Sequence, residues 1–457
     1  MHRLHLLRRA ATLVAATTIL FTATAAAGVR GREVVDRPTG GTAAALLSGG
    51  AEHVASIPYS GGSDLEFATI GGRDYVFAGR VNSYIRGIDD LRHHMPIVDV
   101  TKPGEPVVVS VIPCTLYQGD VQLFHHANGR VTLVLAQDDA GSGICEYKPG
   151  AEIEIPPGFV TFDVTDPRRP RFLGRARVPT GAHNTTVHPT EPLVYVSNSD
   201  LRVSTAVIHI WDISDPARPR LVQDWPYLPA SPPHDITFNT GRVERSDGTV
   251  LEPGHRAYAA ALTHTDVIDT TDPRNPRLIS TIAHPELSLS HQADPTPDGE
   301  YLLVSDELGG GTLWPVCPGG GVHVYRIGPE PQLEAAPVKV GAFWADDLGL
   351  NHPRGTFPAS CTSHVFRINP DGRTMAIAWY SAGVHVIDFR GMLEELDGTG
   401  VRAGSRTMAA AKLSRAETWA AKMWQDRHPG FVFANDMGRG LDIFYVPSCD
   451  PTCIAAS

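Results

Sequence analysis

Residues Val160–Gly174 read VTFDVTDPRRPRFLG: an alternating β-branched and aromatic run, an Asp-Val-Thr-Asp-Pro turn, then a second short apolar run. Alternation with period two argues a strand. The turn has its own chemistry, because Pro167 and Pro170 fix φ and donate no hydrogen bond, while Asp and Thr side chains can cap the turn backbone. The pattern recurs as MPIVDVTKPGEP (Met95–Pro106), IHIWDISDPARPRLV (Ile208–Val222) and DVIDTTDPRNPRLIS (Asp266–Ser280). Upstream of each copy stands another strand-like run: YVFAGR from Tyr75, VTLVLAQ from Val131, LVYVSN from Leu193 and RAYAAAL from Arg256. Three later units keep this order without the Asp-Pro turn: HQADPTPDGEYLLVSDE with GVHVYRI, HVFRINPDGRTMAIAWY with GVHVIDF, and KMWQ with GFVFANDMG and LDIFYV. PDG at 297–299 and 370–372 reads as the hairpin turn between first and second strands.

Repeating units of three or four strands, about 40 to 70 residues apart, predict an all-β fold, a seven-bladed β-propeller. The last unit has only three recognisable strands, and HVASIPYS (His53–Ser60) is expected to supply the fourth, closing the ring without an exposed edge. The Ala-rich stretch within 391–422, which includes AAAKLSRAETWAAKM, predicts a small helical insertion. The Asp-x-Ser/Thr-Asp-Pro units resemble those of the LVIVD-repeat family of bacterial propeller proteins, over roughly His53 to Pro447 and most sharply in the first four units. The resemblance implies the propeller fold and carries no activity with it.

The termini predict an exported protein. MHRLHLLRR is a basic n-region, AATLVAATTILF is an apolar core too short for a membrane span, and ATAAAG offers a small-residue cleavage site near Ala27. The expected organisation is therefore a signal peptide at 1–27, a linker at 28–51, the propeller at 52–447 and a tail at 448–457. Arg8 and Arg9 form a twin-arginine pair whose following residues depart from the usual pattern, leaving Sec and Tat routes open. Loss of Arg3, Arg8 and Arg9 with the leader takes the net charge from -11 to -14, which argues against a nucleic-acid partner. Nothing later in the chain is apolar enough to span a membrane. Six cysteines in an exported chain favour disulfides over thiolate metal sites. Cys114–Cys145, Cys317–Cys361 and Cys449–Cys453 are the expected pairs among fifteen connectivities.

The chemistry collects at the strand entries. GAHNTTVHP, PPHDITFN, LSHQADPTPDG and TSHVFRINPDG place His183, His234, His291 and His364 at one repeat position, where the first two units carry Ser63 and Gly119. In a propeller that position opens the innermost strand, so four blades would present imidazoles at one end of the axis. Neutral imidazole is the commonest metal ligand, and such a cluster suits Cu, Fe or Zn. The alternative is that these histidines only satisfy neighbouring backbone or channel water. Asp64, Asp120 and Asp235 follow the entry position, and strand alternation predicts that they turn away from the histidines, with Asp235 either bracing the next blade or supporting a ligand from behind rather than acting as one. His264, Asp306, Glu307 and Asp436, with Asp138, Asp139, Asn198, Asp200, Asp266 and Asn435, lie in loops expected to form an acidic funnel above the cluster. The glycines at 309–311 and 319–321, with Trp314, mark a candidate lid. His209, His323 and His385 share a third-strand position that fits packing between blades. There is no GxSxG elbow, P-loop or HExxH motif. These features leave three readings open. The first is a metal-dependent oxidoreductase acting on a small molecule. The second is a scaffold binding a protein, peptide or glycan, and the third a metal-dependent hydrolase or lyase.

Overall fold

A computed structural model describes residues 46–82, 91, 93–138, 141–198, 207–226, 231–283, 285–308, 319–345, 361–394 and 407–449. The described chain is an all-β propeller, with strands grouped into antiparallel sheets that follow one another in sequence. In the second sheet the order is Val121–His125, Val131–Gln137, Gly158–Asp163 and Arg171–Arg177. The sheets starting at Gly62, Asn184, Asp235 and Ser290 repeat that simple meander. Second strands are buried at every residue in Val131–Gln137, Leu193–Ser197, Arg256–Ala260 and Thr374–Ala378. They are covered on both faces, which is why they read as unbroken apolar runs. Between the third and fourth sheets, for example, Leu193, Tyr195 and Ile210 pack on Ile236, Phe238 and Ala257.

The repeated turn owes its sequence to capping. Asp99, Asp163, Asp212 and Asp269 each accept the backbone N–H two residues on, at 2.8 to 3.1 Å. The second Asp of the motif does the same at Asp166, Asp215 and Asp272. The hairpin turns expected at PDG are present, with Gly299 at φ 68° and Gly372 at φ 60°.

The inner strands are tied to one another in a circuit. Thr185 N–H donates to Asp120, Thr186 Oγ1 to Ile236 O, and Thr237 Oγ1 to Asp294. Gln292 exchanges two bonds with the Phe366 backbone, and Val365 N–H donates to Trp419 O. Lys422 then reaches Asp64, Leu65 O and Glu66, and Ser63 Oγ donates to Gly119 O.

At the chain ends, Glu52–Pro58 pairs antiparallel with Gly440–Tyr445, the strand pairing expected of HVASIPYS. Leu46–Ser48, inside the expected linker, adds a further edge strand against Thr407–Lys412. The signal segment and the tail beyond Cys449 lie outside the described residues. The helical insertion is corrected. Among the described residues of this stretch, helix is confined to Phe389–Glu394, while Thr407–Lys412 is an outer strand and Thr418–Met423 an inner one. Alanine has the best helix propensity, but Ala409, Ala410, Ala411, Ala420 and Ala421 are at most 4% exposed. Tertiary burial of small side chains between sheets overrides the local preference.

Candidate metal centre

Each entry histidine is held by backbone pairing at the start of its sheet. His183 N–H donates to Ser197 O, His234 N–H to Ala260 O and His364 N–H to Ala378 O, at 2.9, 2.6 and 3.0 Å. These three precede their inner strands, Asn184–Val187, Asp235–Phe238 and Phe366–Ile368. His291 sits in a register shift between Ser290 and Gln292. The four rings form a contiguous row, with centroids 4.2 Å apart for His183–His234, 4.3 Å for His234–His291 and 4.2 Å for His291–His364. Trp419 and Tyr380 close the row beyond His364 at 4.5 and 4.7 Å.

A carboxylate completes the group. Glu307 lies 3.9 Å from His291 Nε2 and 3.5 Å from His364 Nε2, and accepts the Tyr380 hydroxyl at 2.6 Å. His234, His291 and Glu307 each offer one ligand atom, all within 4.8 Å of one another. Donors on one ion at about 2.0–2.2 Å stand about 3.3–3.6 Å apart in a tetrahedral site, so side-chain shifts of up to about 1.5 Å would close the group on a metal. His234 Nδ1 and His291 Nδ1 are buried and make no hydrogen bond among the described residues. The flanking imidazoles are oriented by partners instead. His364 Nδ1 meets Trp419 O at 2.6 Å and His183 Nδ1 meets Asp138 Oδ2 at 2.8 Å, each arrangement turning Nε2 the other way.

Burial keeps His234 and His291 far below the usual imidazole range, and neighbouring imidazoles add to the effect. Burial brings His364 down to about 3. Burial also opposes protonation of His183, but Asp138, helped by Glu307 and Asp235, outweighs it and raises that ring. Glu307 is pushed up to about 7, chiefly by burial. Neutral nitrogens facing a desolvated carboxylate are a setting that a cation would stabilise.

The carboxylates after the entry position correct one expectation. Asp120 does brace the next sheet through Thr185, at 3.1 Å. Asp64 instead pairs with Lys422 at 2.8 Å. Among the described residues, the Asp235 carboxylate takes the N–H of Ile236 alone, and it lines the same cavity as His234. Strict alternation fails there because His183 and His234 precede the ladder and His291 sits in a bulge, where side-chain direction is re-aimed. Gly119 takes the entry position in the second sheet at φ 68°, where a Cβ would meet Arg80 O at 2.3 Å.

The expected funnel is corrected as well. Asp306 is buried on Ser288 and Leu289, Asp436 caps the turn to Gly438 and Arg439, and His264 packs on Thr263 and Asp266. Among the described residues of that set, Glu307 meets His291 and His364, and Asp138 meets His183. Asp139, Asp200, Trp314 and the glycines at 309–311 lie outside the described residues. His209 bridges Asp224 and Thr180, while His323 and His385 pack against Trp344 and Trp379, in line with a packing role. Tyr380 and Trp419 had no repeat signal to announce them.

A cavity of about 580 Å³ runs from His234, His291 and His364 along the inner strands to the hairpin turns at Gly241, Pro297 and Pro370. It lies below the imidazoles, on the side away from the loops expected to form the funnel. Cys114 and Cys145 are bonded as expected. Cys361 and Cys449 are also disulfide-bonded, and their expected partners, Cys317 and Cys453, lie outside the described residues. No described helix is long and apolar enough to cross a membrane.

Comparison with known proteins bears on the fold. No family model matches and no curated relative matches. Among solved structures, the Cps50 (Swd1) β-propeller domain of Myceliophteria thermophila aligns with a TM-score of 0.50 at 14% identity, covering 87% of this chain and 99% of that one. A functionally unknown protein from Desulfotomaculum acetoxidans DSM 771 gives 0.45 at 14% identity, over 77% and 89%. The first likeness supports the propeller architecture and says nothing of chemistry.

Proposed function

We propose that this chain is an exported, ring-closed, seven-bladed propeller of LVIVD-like repeats that holds one transition-metal ion at His234, His291 and Glu307, flanked by His364 and His183. The observation that carries the reading is the group His234, His291 and Glu307, all buried, each offering one ligand atom within 4.8 Å of the others. The circuit of inner-strand bonds and the Glu52–Pro58 pairing support ring closure. The Cys114–Cys145 bond suits an oxidising compartment. Two imidazoles and one carboxylate are the donor set of non-haem iron and of catalytic zinc, and additional imidazoles suit copper. With iron or copper the cavity below becomes the substrate chamber of an oxidoreductase for a small molecule. With zinc, hydrolysis or lyase chemistry takes its place.

Elemental analysis of untagged protein is expected to give one metal per chain, falling below a tenth in His291→Leu and Glu307→Gln. Wild-type protein that stays metal-free after equilibration with Cu, Fe and Zn leaves a non-catalytic scaffold instead.

A further inference from the structure

The cavity beneath the imidazoles has a chemistry of its own. Its wall carries Asp64, Glu66, Asp120, Asp235 and Asp294 against two cations, Lys422 and Arg367. Those two cations are already committed. Lys422 Nζ lies 2.8 Å from Asp64 and 2.9 Å from Glu66, and Arg367 lies 2.5 Å from Glu66. Asp294 accepts bonds on both oxygens, from Gln292 Nε2 and Thr237 Oγ1. Asp120 and Asp235 remain. Asp120 is only 7% exposed, and its Oδ2 takes the Thr185 N–H while its Oδ1 makes no hydrogen bond among the described residues. Asp235 likewise uses one oxygen, on the N–H of Ile236. His234 and His291, each with an Nδ1 that makes no hydrogen bond among the described residues, line the same cavity.

We propose that the channel binds a small organic cation, an alkylamine whose ammonium group sits between Asp120 and Asp235 and whose far end extends toward His234 and His291. This names the substrate class of the site described above and rests on that reading only for what lies at that end. An ammonium group supplies up to three donors and one charge, which suits two carboxylates on neighbouring regions of one wall, each with a free oxygen. The cavity volume falls within the range of about 300–1,000 Å³ that holds small molecules. Burial first, and then Asp64 and Asp235, raise Asp120 well above the usual carboxylate range, as expected for a carboxylate lacking its counter-ion. A small anion would meet this excess of carboxylates with both cations already occupied.

The test titrates metal-free protein by calorimetry with 1-aminobutane, 1,4-diaminobutane, 1-butanol and butanoate. Both amines are expected to bind, and the alcohol and carboxylate to give no heat above dilution. Asp120→Asn and Asp235→Asn should each weaken amine binding about tenfold while metal content and melting temperature hold. Asn keeps the carbonyl that Thr185 or Ile236 needs, so folding is preserved. Amines binding no tighter than 1-butanol, or unchanged affinity in both variants, would overturn the proposal. So would complete displacement of the amine by Ca²⁺ or Mg²⁺, which would assign the carboxylates to an inorganic ion. Because the titration uses metal-free protein, its failure leaves the metal reading standing, and a chain that takes amines but no metal leaves this one standing.

Discussion

Two arcs of the same inner ring handle polar groups in opposite ways. Where the last sheet meets the first, most buried polar groups find partners, and Asp64 and His428, each with one atom that makes no hydrogen bond, lie within ion-pair distance of Lys422 and Asp74. Lys422 has Asp64, Glu66 and Leu65 O, and Asn435 donates to Asp64 O and Gly79 O while accepting from Tyr59. Arg427 reaches Asp74 with two nitrogens. Across the ring, at His234 and His291, ring nitrogens are equally buried and unanswered. A satisfied buried network specifies structure, whereas an unsatisfied one marks a place for something else. On the proposed function, the seam would be the fastening of the ring and the histidine arc the binding site.

The largest effect is expected from the seam itself. Removing residues through Ser60 deletes Glu52–Pro58 and leaves Gly440–Tyr445 with an open edge, so the melting temperature should fall by about 10 °C or more, with aggregation. Unchanged melting in a scanning calorimeter would break the assignment of the fastening. Next comes Lys422→Met, which strands Asp64 in the channel wall and leaves Glu66 to Arg367 alone. Breaking a buried pair from one side costs about 3–5 kcal/mol, measured by urea unfolding. A loss under about 1 kcal/mol would show that the network is not what holds the arc.

Acid sharpens the same contrast. Burial alone would raise the Glu66 pKa, but Arg367 and Lys422 outweigh it and bring the group down to about 2. A carboxylate depressed by folding contributes stability above its unfolded pKa, and that contribution disappears as pH falls from about 4.5 through about 2. The acid-linked loss should be on the order of 2–3 kcal/mol, and Glu66→Gln should remove that pH dependence relative to the wild type. Equal acid slopes in the two proteins would count against it. Smallest should be His291→Leu in metal-free protein. Exchanging an unpaired buried polar ring for an apolar side chain of similar size is close to neutral, so the change should stay within about 1 kcal/mol. A loss as large as that of Lys422→Met would erase the distinction between the arcs and return His291 to a structural role.

Much of this was readable beforehand because repeats convert position into geometry. The Asp-Pro turns, the second strands and the closing pair at the termini each have a local cause: capping, two-faced burial and a missing edge partner. His183, His234, His291 and His364 occupy one repeat position, so their convergence followed from the repeat alone. The Ala-rich run at 407–423 misled because helix propensity is local, whereas its strands owe their state to close packing between sheets.

By itself, then, the sequence determined which residues share a register: the strands, their turns and the row of four imidazoles. Only the tertiary structure decided which atoms face each other. It brought Glu307, from the end of a second strand, against His291 and His364, and aimed Asp138 at His183. It also left Asp235 in the same cavity as His234. Register is a property of backbone hydrogen bonding and repeats with the chain. The direction of a side chain at a strand entry depends on where the ladder begins and where it bulges, and those are set by the neighbouring sheets.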